Sequence, residues 1–273
     1  MNFKRLLTIF VVLLSVTLLL MFALLLLKKW IPSSSVRDLP EIMKQENKIL
    51  NVVTEYNSID FYVDGDTIAG FQYELCRFID KCSGLTVQIH LENNLETSIR
   101  KLNDNVFDVI AQNIPITNEN RQFFAFTVPI AQSRQVLIQR KKNNTDSVFF
   151  IANQLDLANQ TIYVAKNSPA ILRLNNLSEE IAEPIHIKEV AGYTSEQLIY
   201  MLIKKEIDYA VVDREIALKN LELFPDLDFN TDISFTQLQA WALRKTSPVL
   251  LDSLNVWITA FIQNKSLNLS LKK

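Results

Sequence analysis

Glycine is scarce in this chain. Four glycines among 273 residues leave no G-x-x-x-x-G-K and no G-x-G-x-x-G, so neither kind of glycine-rich phosphate loop is present. Histidine is rarer still: His90 and His186 lie far apart on expected strands, and neither H-E-x-x-H nor C-x-x-C occurs. No metal or other cofactor is therefore expected. The two cysteines, Cys76 and Cys82, stand six apart in one helical pattern. Six helical residues rise about 9 Å and end on a different face, so two free structural thiols are expected rather than a disulfide. The formal net charge is -2, with no basic block outside the N-terminal flank, which argues against a nucleic-acid partner. No nucleophile–base pair stands out either, so the chain is expected not to be an enzyme.

What the chain does have begins with one long apolar run. Leu6 to Leu27 contains 22 residues interrupted only by Thr8, Ser15 and Thr17. As a helix it would span about 33 Å, enough for a bilayer core of about 30 Å. The run is longer than the apolar region of a cleaved leader, and Lys28-Lys29-Trp30 follows it directly, so residues 1–29 read as an uncleaved membrane anchor. A leader cleaved near Ser33–Ser35 is the alternative. Lysines and arginine flank both ends, which leaves the orientation undetermined by charge. Residues 30–47, with Pro32, three serines and Pro40, read as a linker.

From residue 48 onward, apolar runs of strand length alternate with helical stripes, the pattern of a mostly parallel α/β sheet. Ile49–Thr54 is an expected strand, and Asp64-Gly65-Asp66 a hairpin turn. Residues 70–84 form an expected amphipathic helix with Phe71, Leu75, Phe78, Ile79 and Cys82 as its core stripe and Gly84 suited to its C-terminal cap. The central stretch is Phe107 to Arg121, a buried strand that breaks into Asn113, Pro115 and Thr117 before reaching a lone Arg121. A polar loop at the carboxyl end of a buried strand is where open α/β sheets bind ligands. Phe123, Phe124 and Phe126 read as core.

One hundred residues later the unit recurs. Ser98 to Ile110 aligns without gaps on Leu198 to Ala210: helix, polar turn, aspartate, strand. The two strands end at Asn113 and Asp213, which suggests two lobes aimed at a shared cleft. Ser168-Pro169 opens a second-lobe helix with free amides suited to an anion, and Thr194 to Gln197 has the form of a capping box. Gln239 to Arg244 reads as a returning strand and Pro248 to Ile262 as a closing helix.

Several pieces together resemble a known family: Leu50-Asn-Val-Val-Thr, Gly70-Phe-Gln-Tyr-Glu-Leu, Phe107-Asp-Val-Ile-Ala, Thr117 through Arg121 with Phe124-Ala-Phe-Thr, Ile207 to Asp213, and Ala240-Trp-Ala-Leu-Arg-Lys. In order and spacing they resemble the periplasmic type II solute-binding proteins of family 3, the amino-acid-binding kind. Within that group they are similar to the N-terminal, non-catalytic module of membrane-bound lytic murein transglycosylase F. The resemblance implies an α/β, two-lobe type II periplasmic-binding-protein fold with two hinge crossings, here preceded by one N-terminal transmembrane helix. Lobe 1 is expected at 48–134 and 243–273, and lobe 2 at 135–242. It implies a small-molecule ligand, an amino acid or peptide-like, held by Arg121 through its carboxylate, by Ser168 beside it and by Asp213 through its ammonium. Thr117, Asn113, Tyr56 and Ser58 complete the expected ligand-binding set.

The chain departs from the family pattern in several places, among them Asn264 to Lys273, which lacks the last helix pattern of many members. One extra residue separates Asp108 from Arg121, and Gln72 replaces the more common aspartate. No residue after Ile262 is placed to supply the catalytic glutamate of a lytic enzyme. The expected setting is a bacterial inner membrane with the soluble domain in the periplasm, acting in transport or sensing. An importer or a cell-wall enzyme is the expected partner. A non-catalytic regulator or scaffold related to the murein transglycosylases is the alternative.

Overall fold

The computed structural model describes residues 37–142, 148–221 and 223–270. The expected anchor falls outside them. Among the described residues no helix is long and apolar enough to cross a membrane.

In chain order the elements are α1 (Leu39–Met43), β1 (Ile49–Thr54), β2 (Tyr62–Asp64), β3 (Thr67–Ala69), α2 (Phe71–Ser83), β4 (Thr86–Leu91), α3 (Leu95–Asn103), β5 (Val109–Pro115), α4 (Asn120–Phe123), β6 (Ala125–Phe126), β7 (Ala131–Ser133) and β8 (Gln135–Arg140). A 3-10 turn at Gln154–Leu157 precedes β9 (Thr161–Ala165), α5 (Ala170–Ile181), β10 (His186–Val190), α6 (Ser195–Ile203), β11 (Tyr209–Asp213), α7 (Arg214–Leu221), β12 (Leu227–Asp228), β13 (Gln237–Leu243) and α8 (Pro248–Ser270).

The strands form two sheets that share one plan. The first runs β4-β1-β5-β13-β6, with β7 also on β13; the second runs β10-β9-β11-β8-β12. In each, a central strand is flanked by two parallel neighbours, and an antiparallel strand arriving from the other half of the sequence closes the set. Both sheets are covered on both faces. Leu50, Val52 and Trp241 pack toward α2 and α8, while Val53, Ile110 and Phe107 pack toward Leu102 of α3. The second sheet is sandwiched in the same way between α5 and α6.

The chain passes between the sheets twice, at Arg134 and between Asp232 and Gln237. The two passages run side by side: Ile233 N–H donates to Gln135 O at 2.8 Å, and Gln135 N–H to the Ser234 hydroxyl at 2.9 Å. The returning strand β13 is hydrogen-bonded within the first sheet from Gln237 onward, so the lobe boundary expected at 242/243 falls at the end of this strand.

Local expectations met mixed outcomes. Gly84 caps α2 in the left-handed region, and Thr194 and Gln197 form a capping box on α6. Of the expected α2 stripe, Leu75 and Ile79 are buried and Phe71 and Phe78 pack against the core, Gln72 and Cys76 are buried beside them, and Cys82 is exposed. Both cysteines are free. Phe124 is 7% exposed, whereas Phe123 is 67% exposed and lies outside the core. Phe123 ends α4, whereas Phe124 already has extended backbone, φ -122° and ψ 153°, which turns its ring into the core. The closing helix continues past Ile262 to Ser270.

Candidate functional site

The loop after β1 and the carboxyl ends of β5 and β11 carry hydrogen-bonding groups that meet one another or the other lobe. The most elaborate of these follows β1. Asn57, 4% exposed, organises it through both ends of its amide. Its Oδ1 accepts from the backbone N–H groups of Ile59 and Asp60 at 2.9 and 2.7 Å. Its Nδ2 donates to Glu55 at 3.0 Å and to Asp60 at 2.8 Å. One amide group thus holds two carboxylates side by side.

Asp60 is 2% exposed and accepts three more hydrogen bonds, two from Asn113 Nδ2 at 3.1 Å and one from Gln72 Nε2 at 3.2 Å. Gln72 in turn accepts from the buried Trp241 indole at 2.6 Å and donates to Asn113 Oδ1 at 3.1 Å. The network therefore reaches from the β1 loop through α2 to β5 and β13. Gly70 makes this approach possible. Its φ is +123°, and a Cβ there would lie 2.3 Å from the carbonyl oxygen of Asp60.

Asp213 sits where β11 meets the crossing strands. Its carboxylate accepts from the Ser133 hydroxyl at 2.7 Å, from the Glu215 backbone at 3.0 Å and from Gln239 Nε2 at 3.3 Å. It joins the second lobe to β7 and β13 of the first while capping α7. The lobes also meet directly: the Ser58 backbone N–H donates to Glu196 Oε1 at 2.7 Å. Glu196 lies in the first turn of α6.

Burial dominates the acids of this network. Burial pushes the Glu55 carboxyl up to about 8, the charges of Asp60, Asp213 and Glu196 add to the rise, and the Asn57 hydrogen bond opposes it. Burial also raises Asp60 above the usual carboxylate range, against the hydrogen bonds from Asn57, Asn113 and Gln72. Asp213 is raised by burial too, against its bonds from Ser133, Glu215 and Gln239. The charged form of a carboxylate is disfavoured out of water unless a cation offsets the loss.

The residues expected from sequence separate into two groups. Asn113, Asp213 and Ser58 lie in or beside the network just described. Tyr56 shares the loop, is 46% exposed and has its backbone N–H bonded to Asn93. Thr117 accepts from Asn120 N–H at 3.1 Å and Ser168 from Ala170 N–H at 3.2 Å, so both hydroxyls act locally. Arg121 is exposed on α4, and among the described residues its guanidinium forms no hydrogen bond or ion pair. Its neighbour Asn120 is turned inward and donates to Pro115 O at 2.9 Å. Glu55, Asp60, Gln72, Glu196 and Gln239 were not in the expected set. Only Gln72 carried a signal, as a polar residue within an apolar helical stripe. Among the described residues no group of three or more His, Cys, Asp or Glu side chains could hold a metal ion.

Residues 50–273 match the family model of bacterial extracellular solute-binding proteins, family 3. The chain belongs to this family. A relative, membrane-bound lytic murein transglycosylase F of Desulfosudis oleivorans, is 28% identical over 224 residues, covering 81% of this chain and 47% of the relative. The chain spans about half the length of the curated relatives it matches. Among solved structures, the P235GK mutant of ArgBP from T. maritima superposes with a TM-score of 0.68 at 22% identity, covering 81% of this chain and 92% of that one. An ancestral arginine-binding protein bound to arginine gives 0.68 at 20% identity, covering 81% and 95%. At these identities the solved structures show the fold: this family 3 protein is a two-lobe, periplasmic-binding-protein-like α/β molecule, homologous to the N-terminal region of the transglycosylases.

Proposed function

We propose that this family 3 protein is a non-catalytic, membrane-tethered periplasmic solute-binding protein that captures an amino acid or small peptide-like ligand by closing its lobes. The observation that carries the reading is the convergence of polar side chains from both lobes on one cleft, with Ser58 of one lobe bonded to Glu196 of the other. Cleft closure over a ligand is the usual working motion of two lobes joined by paired crossings. In this reading Asp213 receives the ligand ammonium with its remaining acceptor capacity. Arg121 and Ser168 receive a carboxylate, with Asn113, Thr117, Tyr56 and Ser58 around them. The captured solute is handed to an importer or reported to a partner.

A second reading is favoured by the transglycosylase relatives, whose length is about twice that matched here: the chain regulates or scaffolds a cell-wall enzyme. The two readings share the ligand-binding step. Native mass spectrometry of the full chain after exposure to a mixture of amino acids, short peptides and muropeptides tests it. The expected result is one small-molecule increment per chain, lost in Asp213→Asn. An unchanged mass across the whole mixture would overturn it.

A further inference from the structure

The two sheets are closed in the same way at the ends away from the cleft. An arginine at the end of each antiparallel strand binds the aspartate just before its neighbouring parallel strand. Arg244 Nη1 donates to the carbonyls of Leu102 and Phe107 at 2.7 and 2.5 Å, and its Nη2 to Asp108 at 3.3 Å. Arg140 Nη1 donates to the carbonyls of Leu202 and Ile207 at 3.0 and 2.8 Å, and its Nη2 to Asp208. Only the first clamp has a second layer over it. Arg37 sets Nε and Nη2 on the two oxygens of the buried Asp108, at 2.5 and 3.1 Å, and Nη2 also reaches Ile49 O at 3.1 Å. The carbonyl of Arg37 accepts from Arg244 Nη2 at 2.9 Å and from the Ser247 hydroxyl at 3.0 Å. The buried Asp38 carboxylate then caps two helices at once, accepting from the Leu39 N–H of α1 and from the Val249 and Leu250 N–H groups of α8.

The ladders that these clamps close differ. Between β8 and β11 the pairing runs unbroken from Gln135 with Asp213 to Gln139 with Tyr209, and one further step puts Arg140 opposite Asp208. Between β5 and β13 the pairing slips. Gln239 stands opposite Pro115 and Ala240 opposite Ile114, a register that would bring Ala242 to Gln112; Ala242 instead pairs with Ile110, two residues further along. Continued, this second register puts Arg244 opposite Asp108. The covered clamp therefore closes the displaced half of the ladder. The other half carries the cleft: Asn113 bonds Asp60, Gln239 bonds Asp213, and Trp241, at the step itself, reaches Gln72. Side chains alternate between faces with a period of two, so a slip of two residues leaves each on its own face. Burial alone does not choose between the registers.

We propose that residues 37–43 form a strap that locks the β5–β13 ladder in its slipped register, and so sets the position of Asn113, Trp241 and Gln239 in the cleft. Arg37 ties the start of β5 to the end of β13. Asp38 and Ile42, the latter wholly buried in the core beneath α8, hold the strap in place. Ala111, Gln112 and Asn113 now stand against Trp241 alone. With the strap released, an even ladder gives each of the three a facing residue on β13. A two-residue slip moves one strand about 7 Å along the other, which breaks the Trp241–Gln72 bond. The strap at one end of lobe 1 thus governs the cleft at the other, as a β-bulge beside a site re-aims the side chains next to it. Lobe 2, whose ladder is unbroken, leaves Asp208 uncovered, with its side chain 49% exposed. This device needs no ligand, so it stands or falls separately from the solute-binding reading.

Fluorine NMR of the full chain labelled with 5-fluorotryptophan tests it. The chain has three tryptophans, and spectra of Trp30→Phe and Trp257→Phe assign the Trp241 resonance by elimination. The wild type should show a single Trp241 resonance. Arg37→Gln should add a second one, holding about a tenth or more of the intensity, and amide exchange from Ile110 to Ile114 should quicken by about tenfold or more. Arg140→Gln, which cuts the clamp on the unbroken ladder, should leave Trp241 single. A loss of stability alone moves Trp241 and Trp257 together to unfolded positions, whereas a slip moves Trp241 and leaves Trp257 in place. If Arg37→Gln does not fold, Arg37→Lys, which keeps the charge and loses the two-point contact, carries the same expectation. Two Trp241 resonances in the wild type, a single one in the folded Arg37 variant, or an equal doubling in Arg140→Gln overturns the register lock.

Discussion

Single residues decide most of what is chemically specific here. Glu55 illustrates how the cleft trades stability for function. Burial pushes its carboxyl from an ordinary 4.5 up to about 8 in the folded chain. Between those values the folded chain holds a proton that the unfolded chain has lost, so unfolding free energy falls as pH rises. Thermal melting from pH 5 to pH 8 should show a declining midpoint, and Glu55→Gln should flatten the decline. A midpoint that rises through this window in the wild type only would contradict the assignment. Arg244 is the opposite case, a buried cation whose removal leaves Asp108 short of one partner and the carbonyls of Leu102 and Phe107 without their donor, at 2.7 and 2.5 Å. Arg244→Leu should cost about 3–5 kcal/mol in chemical denaturation. The corresponding residue of the second lobe, Arg140, binds the carbonyls of Leu202 and Ile207 and the carboxylate of Asp208, whose side chain is 49% exposed. Water compensates Asp208, so Arg140→Leu should cost less, about 1–2 kcal/mol.

At the level of elements, the helix–turn–strand unit is built twice with matching detail. Asn94 caps α3 and Thr194 caps α6. Both helices end in a residue of positive φ, Asn105 at 59° and Lys205 at 61°. Asparagine tolerates that conformation and lysine does not, because a bulky β-carbon crowds the following carbonyl. Lys205→Gly should therefore stabilise the protein by about 0.5–1 kcal/mol, measurable by denaturant titration, while Asn105→Gly should change less. Gly70 is the reverse: a methyl at its position collides with the Asp60 carbonyl. Gly70→Ala should destabilise by about 2 kcal/mol or more and loosen the Asp60 network with it.

These elements were also what the sequence made legible. Apolar runs placed β1, β5 and β11, glycine and serine or threonine marked helix ends, and the hundred-residue repeat pointed to two lobes. The site was less legible for a physical reason. Glu55, Asp60, Glu196 and Gln239 are polar residues on loops and strand ends, where neither the two-residue nor the 3.6-residue period labels the inward face. Gln72 sits on an apolar stripe, yet its role depends on Trp241, far away in the chain. Arg121 is conspicuous in sequence as a lone cation, but one residue on a helix turns a side chain about 100°, and periodicity alone does not fix that angle in a single turn.

On the scale of the whole molecule, two similarly built sheets exchange one strand each across paired crossings, and the acids of the cleft are contributed by both halves. In the proposed reading such an arrangement would link ligand capture to lobe geometry, since a ligand held by groups of both lobes favours the closed state. Glu196, the direct contact between lobes, is the residue through which that preference should be visible. Glu196→Ala should leave the fold intact and raise amide exchange in the loop that follows β1, as measured by hydrogen–deuterium exchange. Protection unchanged from wild type would show that the contact does not restrain the lobes.

The central claim, that the cleft binds a small solute, is tested most directly by thermal melting of the full chain against amino acids, short peptides and muropeptides. A ligand at about 100 times its dissociation constant adds about 2.7 kcal/mol of stability. The account predicts a clear upward shift in melting temperature for at least one compound, diminished in Asp213→Asn. A transition that stays fixed across the whole panel would contradict it.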